Sequence, residues 1–182
     1  MKKILIAVIT TFLLNLSSEQ GNITKLNGID IWWESHGDIN NPTALLIMGL
    51  NSNSKVWSDQ YIENLVANNL HILVFDNRDI GKSTWITEEP GLITFIKYLP
   101  NFLQEYFVEF IFGFIFDEEG KFNMENPAPA EYNLSDMAMD GIALLDHLEI
   151  SEAHIIGASM GGMIAQVMAL EHSDRVKSLT LF

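Results

Sequence analysis

Ile155-Ile156-Gly157-Ala158-Ser159-Met160-Gly161-Gly162 is the stretch that decides how the rest of the chain is read. His154 to Ile156 is a short run suited to a buried strand. Shortly beyond it, Ile164, Val167, Met168 and Leu170 fit a helix over Met160 to Glu171. Between the two, G-x-S-x-G leaves room only for a sharp strand-to-helix turn. A turn that tight needs small residues two before and two after the serine, and Gly157 and Gly161 stand there. Gly162 lets the new helix begin close to the neighbouring strand. The serine is lifted to the sheet's edge, at a helix N-terminus where free N–H groups and the dipole favour negative charge. The context therefore predicts Ser159 as a nucleophile, with the Met160 N–H as donor to a developing oxyanion. The competing reading is a glycine-rich turn without chemistry. A phosphate loop fits less well, because the order G-x-x-x-x-G-K-[ST] is missing.

Outward from this turn, the same alternation repeats. Thr43 to Met48, His71 to Phe75 and Val176 to Leu181 read as strands, the first two buried on both faces. Ile29 to Ser35 reads as another strand, entered from a turn at Gly28 and ending at Gly37. Val56 to Ala67 has helical spacing, as does Asp136 to Leu148, for which Ser135 is the expected cap. Strands alternating with helices predict an α/β fold, a mostly parallel sheet with helices on both faces. Ligands in such sheets meet the carboxyl ends of the strands. The loops of interest are therefore Gly49 to Ser54, Asp76 to Ser83 and Gly157 to Gly162.

The net charge is −14 and the pI about 4.5, which argues against a nucleic-acid partner. Cysteine is absent, so thiol catalysis, disulfides and thiolate metal sites are excluded. Lys2 and Lys3, the apolar run Ile4 to Leu14, and Ser17-Ser18 follow the order of a secretory signal over residues 1–18. That reading makes the protein exported, periplasmic or secreted; the competing one is a buried first strand in a cytoplasmic protein. The folded domain is expected over 22–182, with an apolar insertion at about 85–129. Within it, Leu92 to Phe116 is interrupted by Lys97, Pro100, Gln104, Glu105 and Glu109, which argues against a membrane-spanning helix. Two readings of the insertion stand: an apolar lid, or flap touching lipid at a membrane surface through 92–116, and a helical pair packed on the sheet.

Three ordered segments carry a family resemblance: Leu45-Leu46-Ile47-Met48-Gly49-Leu50-Asn51, Phe75-Asp76-Asn77-Arg78-Asp79-Ile80-Gly81-Lys82-Ser83, and Ile155 to Gly162. Together they resemble the α/β-hydrolase superfamily, closest to esterases of the aclacinomycin-methylesterase type. The resemblance covers roughly 28–84 and 130–182. It implies hydrolysis of a small-molecule carboxylic ester through an acyl-enzyme at Ser159, without cofactor or metal; the lid reading of the insertion adds that the ester is apolar. It also implies that the Leu50 backbone N–H is the second oxyanion donor. Asp76, Arg78 and Ser83 correspond to the family's D-x-R-G-x-G-x-S loop and are read as structural, Arg78 through fork-like hydrogen bonds. Asp79 departs from the usual glycine.

A serine needs a base. The family places its acid and then its histidine after the serine. His36, His71, His147 and His154 precede the turn, and His172 lies thirteen positions along the following helix, a rise of about 20 Å. None is expected to reach Ser159. Asp174 is excluded by similar distance, and Asp136, Asp140 and Asp146 are expected on a solvated helix face. The sheet is thus read as a hydrolase fold truncated after about six strands, with base and acid beyond this fragment, so the chain alone should hydrolyse esters poorly. Alternatives are C–C bond hydrolysis or perhydrolysis on the same fold, and a non-catalytic binding protein on a hydrolase scaffold.

Overall fold

The computed structural model describes residues 21–86 and 130–182. The chain divides into two compact units, one of residues 1–84 with 132–182, the other of residues 85–131. The expected signal at 1–18 lies outside the described residues, as does the expected insertion beyond Ile86, including 92–116. Among the described residues no helix is long and apolar enough to cross a membrane.

The first unit holds six strands: β1 (Asn22–Leu26), β2 (Ile29–His36), β3 (Thr43–Ile47), β4 (His71–Phe75), β5 (Ala153–Gly157) and β6 (Val176–Leu181). Its helices are α1 (Asp59–Ala67), α2 (Leu134–His147) and α3 (Met160–Glu171). The strands form one sheet in the order β1-β2-β4-β3-β5-β6. β1, β2 and β4 are joined antiparallel, while β4, β3, β5 and β6 run parallel.

Side chains alternate across a strand, and here both faces of the alternation are apolar. Leu45, Ile47, Leu73, Phe75 and Ile155 face Met137, Ile142 and Leu145 of α2 and Ile164 and Met168 of α3. Ala44, Leu46, Ile72, Val74 and Ile156 make the other face, covered by Ile62, Tyr61, Leu65 and Val66 of α1. Each fully buried Leu, Ile, Val, Phe or Met among them contributes about 1.5–3 kcal/mol by leaving water, so the central strands anchor the fold. The mostly parallel sheet with a helical layer on each face is the expected α/β architecture.

Three boundaries differ from those expected, each for a local reason. β1 was not foreseen, yet its residues pair with β2 through a two-residue turn at Asn27 and Gly28. Both have positive φ, 49° and 86°, as a type I′ hairpin demands. The helix expected from Val56 instead begins at Asp59. Trp57 is extended, and Ser58 caps α1 by accepting from the Tyr61 N–H. Ser135 is not the cap of α2. Asn133 accepts from the Ser135 and Asp136 N–H groups, and Asp136 accepts from the Asn133 N–H. This capping box satisfies three amides that would otherwise lack partners.

Candidate active site

β3 leads to β4 on one side of itself, whereas β4 leads to β5 on the other. The chain thus changes direction around β3, and the crevice at the carboxyl ends of its strands is the place for a ligand in such a sheet. Ser159, Gly49 and the loop after Phe75 all lie at that end.

Ser159 joins β5 to α3 with φ 54° and ψ −123°. An L-residue adopts this conformation only at a cost of about 1–3 kcal/mol, so the surroundings must hold it there. Three backbone bonds do so. The Ala158 N–H donates to Ile47 O at 3.0 Å, the Ser159 N–H to Phe182 O at 3.0 Å and the Gly161 N–H to Ala158 O at 2.8 Å. Close packing fixes the residue types on either side. A Cβ on Gly157 would stand 2.4 Å from Gly161 O, and one on Gly161 would stand 2.2 Å from Ile47 O. Gly162 is under no such demand: its nearest contact would be an ordinary 3.4 Å. The Ser159 side chain is exposed.

Gly49 brings the second loop to the serine. A Cβ there would come within 2.9 Å of Ser159 Cβ and 3.3 Å of its Oγ, so any larger residue would push the loop away. Leu50 follows, with its side chain 65% exposed. Among the described residues neither the Leu50 nor the Met160 N–H has a hydrogen-bond acceptor. The two amides belong to the residues next to Gly49 and Ser159, which are in contact.

The loop after β4 braces these elements. Asp76 Oδ1 accepts from Ser54 N and Oγ at 2.9 and 2.8 Å, and its Oδ2 from Lys82 N at 3.0 Å. Ser83 Oγ donates to Asp76 O at 2.6 Å and accepts from Trp32 N at 3.0 Å. Arg78 forks onto Asp140, Nε to Oδ2 and Nη2 to Oδ1, both at 2.7 Å. Asp140 is therefore not on a solvated face. It is 1% exposed and tied to the β4 loop, and the polar stripe suggested by Asp136, Asp140 and Asp146 is broken at its middle member. The Tyr132 ring lies 5.0 Å from the guanidinium. Burial, and then a hydrogen bond to Asp79, push the Tyr132 phenol up to about 12. Asp79 has φ 61°, which accounts for a glycine being usual there; Asp is among the few side chains that accept this conformation.

Four of the five histidines have partners elsewhere, and the fifth lies far from Ser159. His71 is buried at the start of β4, its Nε2 2.8 Å from Ser35 Oγ and its Nδ1 3.0 Å from Thr43 Oγ1. His154 Nδ1 meets Ser178 Oγ at 2.7 Å, His147 packs edge-on against Trp33, and His36 approaches Glu34 at 3.6 Å. His172 closes α3, far along the helix from Ser159. Among the described residues no group of His, Asp or Glu is arranged to hold a metal.

Residues 42–182 match the family model of the alpha/beta hydrolase fold. This chain belongs to that family. Among α/β-hydrolases it is similar to rhodomycin D methylesterase DnrP of Streptomyces peucetius, 27% identical over 153 residues, which are 84% of this chain and 38% of that protein. A shorter segment of 57 residues is 42% identical to 2-hydroxymuconate semialdehyde hydrolase of Pseudomonas sp. strain CF600, covering 31% of this chain and 20% of that one. In fold it resembles epoxide hydrolase A from Mycobacterium thermoresistibile, with TM-score 0.62 and 19% identity over 89% of this chain and 38% of that structure. The chain thus spans about two fifths of the length of the methylesterase it matches.

Asn77 is the site residue that sequence reasoning passed over. It is 2% exposed, and its Nδ2 donates to Met48 O at 2.9 Å. As the variable position of the D-x-R motif, it gave no signal of its own.

Proposed function

We propose that this chain carries the nucleophile-bearing part of a carboxylic ester hydrolase, with Ser159 as the attacking residue. The observation that supports this most directly is an exposed serine at φ 54°, touching Gly49 and flanked by two N–H groups without acceptors among the described residues. Ser159 Oγ adds to the ester carbonyl carbon and gives its proton to a base. The carbonyl oxygen becomes an oxyanion, which the Leu50 and Met160 N–H groups stabilise. Collapse expels the alcohol, protonated by that same base, and leaves an acyl-serine. Water repeats the sequence and releases the acid. None of the five histidines, all of them among the described residues, reaches Ser159, so none of them is that base. The substrate is a small ester, apolar where it meets the exposed Leu50 side chain.

Treating the full-length protein with a fluorophosphonate tests the assignment. A single adduct on Ser159, lost in Ser159→Ala, is the expected result; equal labelling of both proteins rejects it.

A further inference from the structure

Three consecutive residues after the core of β3 are each gripped by a different partner. Ile47 O accepts from Ala158 N of the elbow. Met48 O accepts from Asn77 Nδ2 of the β4 loop. Gly49 packs on Ser159. Further along, the same β4 loop holds Ser54 through Asp76. The segment carrying Leu50 is therefore held at both ends by adjacent residues, Asn77 and Asp76.

The Asn77 bond bears most directly on the oxyanion side. A carbonyl can only accept, so Met48 O fixes which end of the Asn77 amide faces it. The bond in turn fixes the plane of the Met48–Gly49 peptide, two bonds from the next peptide, whose N–H belongs to Leu50. Gly49 has no side chain to restrict its own rotation, so an external tether is what limits that plane. Packing does not explain the choice of asparagine. Its Oδ1 is buried and has no hydrogen-bond partner among the described residues, a penalty that an apolar residue of the same size would avoid.

We infer that Asn77 is a positioning residue that aims the Leu50 N–H at the oxyanion by holding the Met48 carbonyl. The inference rests on the Ser159 reading above. Asn77 touches no reacting atom and acts only through the loop.

The test uses the full-length protein with p-nitrophenyl butyrate, rates being expressed per site titrated by fluorophosphonate so that partial misfolding does not enter. Asn77→Leu and Asn77→Ala remove the tether. In both, kcat is expected to fall about 10- to 100-fold with KM within about twofold, since the interaction lost is one made in the transition state. A trifluoromethyl ketone, which forms an oxyanion adduct on serine, should lose affinity by the same factor. Asn77→Leu removes the unpartnered Oδ1 but also the donor to Met48 O, two opposing effects, so its Tm should change little while its rate falls; a merely structural role predicts that the two fall together. Asn77→His, whose Nδ1–H can stand where Nδ2–H stood, should recover most of the rate. Unchanged kcat in Asn77→Leu and Asn77→Ala, a rise confined to KM, or equal loss in all three variants overturns the inference. Failure of the parent protein to label at Ser159 would instead remove the reading on which it rests.

Discussion

The two ends of β3 and β4 treat polar groups in opposite ways. At the amino ends, His71 is buried with each ring nitrogen paired, to Ser35 and to Thr43, and its own N–H donates to Pro42 O. At the carboxyl ends, among the described residues, two amides lack acceptors and one buried amide oxygen is unpaired, and a serine stands in a costly conformation. Both ends carry hydroxyls and buried polar atoms, so composition does not separate them. The difference is closure around His71, although beside it the buried His36 Nε2 has no hydrogen-bond partner among the described residues. A cluster whose members satisfy one another contributes stability and has nothing left to offer a ligand. The open cluster forgoes stability and keeps its donors available, which is the pattern expected where chemistry is done.

If the open end is held by its buried ion pair, breaking that pair should have the largest effect on stability. Asp140→Ala leaves Arg78 charged and enclosed, and is expected to cost about 3–5 kcal/mol in urea unfolding. A loss under about 1 kcal/mol would mean that the pair does not brace this end. Next come the elbow glycines, which should behave unequally. Gly161→Ala, facing backbone 2.2 Å away, should cost about 3 kcal/mol or more. Gly162→Ala should be neutral or stabilising by up to about 1 kcal/mol, through helix propensity. Equal effects at the two positions would contradict the packing described.

A smaller effect, of opposite sign, sharpens the contrast. Ser159→Gly removes the cost of positive φ and should raise stability by about 1 kcal/mol while abolishing fluorophosphonate labelling. No gain would show that the serine is not held against its preference. The smallest effect belongs to the closed end. Burial, aided by the nearby His36 and opposed by Asp38, holds His71 below its ordinary value of 6.5. Above that value both folded and unfolded chains carry it neutral. As pH falls below it, the unfolded chain takes up the proton first, so stability is lost progressively towards the lower folded value. His71→Gln should flatten that part of the pH profile of Tm; an unchanged slope would place the acid sensitivity elsewhere.

Periodicity made the central strands legible, because a strand buried on both faces has nothing but apolar residues to show. β1 escaped notice since Asn22 to Leu26 has one buried side chain and its only clear mark was the Asn27-Gly28 turn. The elbow was legible because Gly157 and Gly161 answer a steric demand that sequence states outright, whereas Gly162, expected to do the same, does not. Asp140 was misjudged because its surroundings come from Arg78, 62 positions away, and helical spacing carries no word of that partner. Asn77 was missed for a related reason: its partner is a backbone carbonyl, which every residue has. The cap of α2 shows the same limit at short range, where Asn133, Ser135 and Asp136 all have suitable side chains and only geometry ranks them.

The hairpin at Asn27 and Gly28 has one more consequence, and it unfolds over storage time. Asparagine before glycine is a dipeptide prone to deamidation, because the glycine nitrogen is unhindered in attacking the side-chain carbonyl. Here the exposed Asn27 amide donates to Asp140 Oδ1 at 3.1 Å. Hydrolysis to a carboxylate would exchange that donor for a negative charge facing the anion of the ion pair. An ageing sample would thus loosen the β4 loop by a covalent route that no substitution is needed to reveal, visible as a gain of one mass unit on the peptide containing Asn27.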